Sequence, residues 1–188
     1  MRFYSVFKVF RRQYVFLVCS LILVSSSAFG VKNYWEISAS EMKMLPKFCK
    51  EGFRNLGPND WMNHLCPALN ALNHAKLSVG NNTSKKYALE RAIDNFSYTL
   101  GHSESPIYRP FVYLKRGEAY ELAGDVSAAI ADYWQALKLK PKSIAIHVAL
   151  IDLYIKLGDV SQAKDLVNKG LKIKPNSKPL LRRKKKVN

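Results

Sequence analysis

Gly124-Asp125-Val126-Ser127 and Gly158-Asp159-Val160-Ser161 are the same four residues, 34 positions apart. The same offset relates Tyr120 to Tyr154, Ala129 to Ala163, Leu137 to Leu171, Lys138 to Lys172, Lys140 to Lys174 and Pro141 to Pro175. So many matches at one offset mark an internal repeat. Each copy has the grammar of two helices. Residues 109–123 and 143–157 carry apolar side chains at helical spacing. The Gly-Asp pair that follows makes a turn, and Asp125 or Asp159 can cap the next helix. Second helices are then expected at about 126–139 and 160–173. Pro141 and Pro175 lie just beyond them, where proline ends a helix cheaply. Ala129, Ala136 and Ala163 are small enough to let neighbouring helices approach closely.

With this period and these residues the sequence resembles the tetratricopeptide repeat family. Gly117, Tyr120, Ala129, Tyr133, Ala136 and Pro141 carry the resemblance in one copy, and Leu150, Tyr154, Ala163, Gly170 and Pro175 in the next. The departures are mild. Arg116 stands where the pattern has leucine, Tyr113 and His147 stand at its tryptophan, and Val167 replaces an aromatic. The resemblance implies an all-α fold, a short solenoid of antiparallel helical hairpins. It also implies that the first helix of each hairpin lines a concave groove for a peptide or partner helix. The partner-binding candidates are then Phe111, Leu114, Glu118 and Glu121 in one hairpin, with Ala145, Val148, Asp152 and Ile155 in the next. Relatives that clamp a C-terminal carboxylate place asparagine and basic residues there. The acids Glu118 and Asp152 argue instead for a basic or amphipathic segment.

The two clear repeats are taken as residues 108–176, the copies being about 110–143 and 144–177. A divergent hairpin is expected over 58–107. Lys86 to Leu100 reads as its second helix, with Ala92 and Phe96 spaced like Ala129 and Tyr133, and Trp61 to Leu77 as its first. Between them Gly80-Asn81-Asn82-Thr83-Ser84 reads as a long turn, with glycosylation sequons at Asn81 and Asn82 and a third at Asn95. Residues 31–57 match no repeat and read as an N-terminal capping segment. There Ser38-Ala39-Ser40-Glu41 forms a candidate capping box for a short helix before Pro46.

Residues 1–30 read as a secretory signal peptide of bacterial type. Arg2, Lys8, Arg11 and Arg12 precede an apolar run from Tyr14 to Val24, and Ser25 to Gly30 supply small residues for cleavage after Ala28 or Gly30. The apolar run is shorter than the ~20 residues that span a bilayer, so no stable membrane span is expected after cleavage. The expected location is the periplasm or the exterior; an uncleaved N-terminal anchor is the alternative. Export bears on Cys49 and Cys66, because an even number of cysteines in an oxidising compartment suggests a disulfide. Two buried free thiols, or a metal held with His64 and His74, are the alternatives. The spacing matches no familiar zinc pattern, so no metal is expected.

The chain holds 30 basic and 14 acidic residues, a net charge of +16. Much of this bias is terminal, and only about +6 remains once the first thirty and last eleven residues are set aside. Lysines 138, 140, 172 and 174 fall at helix ends, where a cation offsets the helix dipole. The run Arg182, Arg183, Lys184, Lys185 and Lys186 exceeds that explanation. Residues 177–188 therefore read as a basic C-terminal tail, either a solvated cap or an anion-binding element. No catalytic glycine loop, nucleophile elbow, H-E-x-x-H or haem motif is present, so neither catalysis nor a cofactor is expected. Aromatic interleaving for base stacking is missing, so no nucleic acid is expected. The function expected is a non-catalytic protein–protein interaction or scaffold module of the cell envelope, binding a protein partner in its groove. The alternative is an envelope protein that binds an anionic surface or polysaccharide through the basic tail.

Overall fold

The computed structural model describes residues 37–51, 61–78, 80–103 and 106–188. The expected signal peptide, residues 1–30, lies outside the described residues. Among those described, all regular structure is helical. The helices are α1 (Ala39–Met44), α2 (Lys47–Glu51), α3 (Met62–Leu77), α4 (Asn82–His102), α5 (Arg109–Ala123), α6 (Val126–Leu139), α7 (Ile144–Lys156), α8 (Val160–Ile173) and α9 (Lys178–Val187). Consecutive helices α3 to α9 pack on one another, so the chain builds a short solenoid of antiparallel hairpins.

The repeated turn explains why α5–α6 and α7–α8 are copies. Gly124 and Gly158 close their helices with φ of 89° and 78°. That left-handed conformation is open to glycine and strained for residues with a Cβ. One residue on, Asp125 and Asp159 donate their backbone N–H groups back to Tyr120 and Tyr154. Their carboxylates accept from Ala128 N and Gln162 N, each at 3.0 Å, and so cap the next helix. Two turns with similar φ and the same bonding pattern aim two hairpins alike.

Hydrophobic burial follows two clusters. The first runs from Leu45 to Ala119 and is centred on Leu65, Leu72 and Phe96. The second runs from Ala129 to Val187 and is centred on Tyr133, Leu150, Ile151 and Leu166. Tyr113 packs against both. Ala129, Ala136 and Ala163 are fully buried, as helices in close contact require. His147, at the family's tryptophan position, is also buried; its Nδ1–H donates to the Ser143 carbonyl at 2.9 Å, so it fills the core with its polar edge satisfied. Burial, and after it the Glu121 carboxylate that accepts from its hydroxyl, pushes the Tyr133 phenol well above its ordinary range.

Ser38 and Glu41 form the expected capping box at α1. Cys49 and Cys66 are joined by a disulfide with the Cα atoms 5.9 Å apart, tying α2 to α3. The free-thiol and metal alternatives therefore fall. His64 bonds Asn95 and stacks on Tyr98, and His74 bonds Glu41. Phe48 of α2 meets Tyr108 and Phe111 edge-on, which seats the cap against α5.

Two expectations change. The Asn-rich turn is shorter than its composition suggests, because Asn82–Ser84 already belong to α4. The Asn81 side chain caps that helix by accepting from Ser84 N. A capping bond satisfies an orphan N–H, and asparagine at this position extends the helix rather than the loop. The basic tail is not a tail either. Lys178–Val187 is a helix whose Leu180 and Val187 are buried against the second cluster. The outer face of α8 would otherwise be left apolar and uncovered.

Gly170 lets α9 approach. A Cβ placed there would lie 2.8 Å from Leu180 Cδ1 and 3.5 Å from His147 Cδ2. Gly170→Val is expected to destabilise the protein by about 1–3 kcal/mol, the usual cost of overpacking. Hydrogen exchange should show protection lost first in Lys178–Val187; protection unchanged in that helix would refute the dependence.

Candidate functional site

The partner-binding candidates come from α5 and α7, and contacts between successive first helices test whether they share a face. Lys76 of α3 pairs with Glu118 of α5 at 2.5 Å. Glu121 of α5 pairs with Lys156 of α7 at 3.5 Å. Asp152 of α7 pairs with Arg183 of α9, with Arg183 Nε at 2.7 Å from Oδ1. Three links thus cross from helix to helix along α3, α5, α7 and α9, and each uses one of the predicted acids. Glu118, Glu121 and Asp152 lie on a continuous face.

The charge on that face differs from the expectation. Glu118 also accepts from Lys115 at 2.9 Å. Burial works to raise its pKa, but hydrogen bonds from Lys76 and Lys115 outweigh that and hold the carboxyl below its ordinary value. Glu121 takes the Tyr133 hydroxyl at 3.0 Å as well as Lys156. The acids are therefore neutralised from within, and the face offers no free negative charge for a basic segment. The ion pairs are partly exposed, so each contributes at most ~1 kcal/mol to stability. Their consequence is electrostatic: they cancel a field that the acids alone would create.

The apolar candidates divide. Phe111 is engaged by Phe48 and belongs to the first cluster. Leu114, Val148 and Ile155 pack on the second cluster while remaining partly accessible. Ala145 is exposed. The basic run divides too. Arg183 is tied to Asp152 and to the Pro179 carbonyl, so it is a structural cation. Arg182, Lys184, Lys185 and Lys186 are exposed. Lys76, Lys115 and Lys156 belong to the face and were missed by sequence reasoning. Only Lys115–Glu118 has a local signal, the three-residue spacing on one helix.

A separate cleft of about 470 Å³ opens between the start of α4 and the end of α5, over Leu89, Ile93 and Leu122. It contains none of the predicted partner-binding residues. Among the described residues no group of histidine, cysteine and carboxylate side chains converges for a metal. No helix among them is long and apolar enough to cross a membrane.

Residues 122–185 match the family model for the tetratricopeptide repeat. Over that stretch the sequence is tetratricopeptide-like, and the helical hairpins around it share the fold. Among solved structures, a thermophilic tetratricopeptide protein of Thermus thermophilus, TTC0263, is similar at 22% identity and a TM-score of 0.60, over 69% of this chain and 64% of that one. This chain thus spans less than two thirds of that protein, and at this identity the likeness concerns fold alone. The first tetratricopeptide domain of Spaghetti (RPAP3), solved with an HSP90 peptide, is 18% identical over 64% of this chain and 91% of that one, with a TM-score of 0.48. The Sgt2 domain of Aspergillus fumigatus is 19% identical over 64% and 76%, also with a TM-score of 0.48. No curated protein sequence matches the chain. The helical array extends past the matched region at its N-terminal side, since α3–α4 packs as a further hairpin ahead of it.

Proposed function

We propose that this tetratricopeptide protein is a non-catalytic interaction module of the cell envelope, exported through residues 1–30, which holds a segment of a protein partner on the first-helix face of α5 and α7. The observation that supports the reading is the row of cross-helix ion pairs, which link Glu118, Glu121 and Asp152 to neighbouring helices along α3, α5, α7 and α9. Leu114, Val148 and Ile155 supply accessible apolar surface there, and exposed Ala145 leaves room beside them. Because Glu118, Glu121 and Asp152 are already paired, the partner favoured is an amphipathic segment that lays apolar side chains on this strip. Groove recognition of that kind draws its energy from a few buried apolar anchors. The disulfide supports an oxidising compartment, where such bonds persist.

A photoreactive residue at position 145, introduced in the native host, should crosslink a discrete partner, whereas one at exposed Gln135 on α6 should not. Ala145→Arg should weaken capture by about tenfold, roughly 1.4 kcal/mol, with helical content unchanged. Crosslinking from position 135 and not from 145 would place the partner elsewhere. A mature chain beginning at Phe29 or Val31 would be the signature of export, and an intact Met1 would count against it.

A further inference from the structure

Helix α9 does two things at once, and only one is needed for folding. Leu180 and Val187 are buried and Arg183 is half-buried, and on a helix of 3.6 residues per turn these three share a side. The opposite side carries Lys178, Arg182 and Lys185, spaced i, i+4 and i+7, with Leu181 and Lys186 on its flanks, and all five are exposed. Among the described residues no carboxylate pairs with Lys178, Arg182, Lys184, Lys185 or Lys186. The helix contains no acid.

The helix dipole does not account for this stripe. Cations are favoured only within the last turn, which covers Lys184 to Lys186. Lys178 is the first residue of α9, at the positive end, where the dipole opposes it. Solubility does not demand it either, since a mixed-sign surface solvates equally well. What the stripe offers is positive charge of one sign and one apolar side chain, Leu181, which is 40% exposed among the cations. Ile173, at the end of α8, is also 40% exposed. A partner of fixed shape needs a pocket or a set of paired groups to define its register. A fluid anionic surface needs neither. Single-stranded nucleic acid would call for aromatic stacking groups, and α9 has none.

We infer that the outer face of α9 is a docking surface for an anionic lipid bilayer, with Lys178, Arg182, Lys185 and Lys186 over the headgroups and Leu181 at the interface. This goes beyond the first-helix face, because Arg183, on the inner side of α9, is the α9 cation that face uses. Basic side chains near an anionic membrane act additively and are screened within a Debye length.

The test uses the full chain and vesicle sedimentation. Vesicles of phosphatidylcholine alone are compared with vesicles containing about one third phosphatidylglycerol, a surface that attracts basic segments. The stripe variant combines Lys178→Gln, Arg182→Gln, Lys185→Gln and Lys186→Gln. A control removes the same charge elsewhere, with Lys138→Gln, Lys140→Gln, Lys142→Gln and Lys172→Gln. All three proteins keep residues 1–30, so any contribution from that segment is common to them. The expected result is a fall of about thirtyfold or more in partition onto anionic vesicles for the stripe variant. The control should change less than about threefold, and the wild-type advantage should shrink with salt. Circular dichroism should be the same for all three, as these side chains are exposed. Equal losses in stripe and control variants would mean that net charge alone acts, and would overturn the inference. So would a wild-type chain that binds soluble polygalacturonate yet shows no preference for anionic over neutral vesicles.

Discussion

Replacing Arg116 with leucine lowers the stability of the protein by about 3–5 kcal/mol, even though leucine is the residue of the family pattern. Arg116 grips Asp132 with two bonds, Nε to Oδ2 at 2.7 Å and Nη2 to Oδ1 at 2.8 Å. Its remaining Nη1 donates to Ser97 at 2.9 Å, so one guanidinium joins α4, α5 and α6. The hydrogen bonds it donates to Asp132 raise the arginine pKa above its ordinary value, against the effect of burial. Only 6% of the Asp132 side chain is accessible. Arg116→Leu strands that carboxylate away from water, and the cost is that of a buried charge without a partner. The double variant Arg116→Leu with Asp132→Leu removes both charges and should recover most of the loss, because a buried pair replaced by apolar groups of similar volume is often neutral or better. Urea unfolding of the two variants checks this. A single variant costing under about 1 kcal/mol, the range of exposed pairs, would show that the pair is not the lock we describe.

Opening the Cys49–Cys66 bond, by reduction or by paired serine substitution, lowers stability by roughly 3 kcal/mol in the loop-entropy account. The bridge closes a loop with a sequence separation of 17. The loss should be uneven. Both sulfurs lie in the first cluster, whereas α7, α8 and α9 draw their burial from the second. Amide exchange should therefore accelerate in residues 39–50 and 62–77 before it changes in 144–173, as local openings follow local packing. The α1–α2 segment depends on this bond and on Phe48, since its two helices are only 6 and 5 residues long. Helices so short do not persist without tertiary support. An unfolding midpoint unmoved by reduction would refute the assignment of stability to this bond.

Much of the fold was legible because repetition is a local signal. The matched turns at Gly124 and Gly158, their capping aspartates and the closing prolines lie within a few residues of the bonds they make. Helices α5 to α8 consequently fall where the periodicity puts them. The missed helix was legible by the same rule. Ser143 and Ser177 are a further pair at the 34-residue offset, and Leu180 and Val187 correspond to Ile146 and Leu153, all four buried. The run of lysines overlays that period with charge, so a capping helix has the composition of a tail. A buried residue every three or four positions outweighs the solvation of the charges between them.

The sequence by itself determined the class of fold and the hairpin register, and it named the only two cysteines outside residues 1–30 that a bridge could join. Each depends on spacing along the chain, on local capping chemistry or on the number of cysteines available. Only the tertiary structure decided what the charges on the first-helix face amount to. Lys76 meets Glu118 across 42 residues, and Asp152 meets Arg183 across 31. No period or propensity encodes such a meeting, because it depends on how much each hairpin is rotated against the next. The same rotation brings Arg116 to Ser97 of the preceding hairpin and turns Lys178, Arg182 and Lys185 outward. Electrostatic energy depends on distance in space, and a sequence records only distance along the chain.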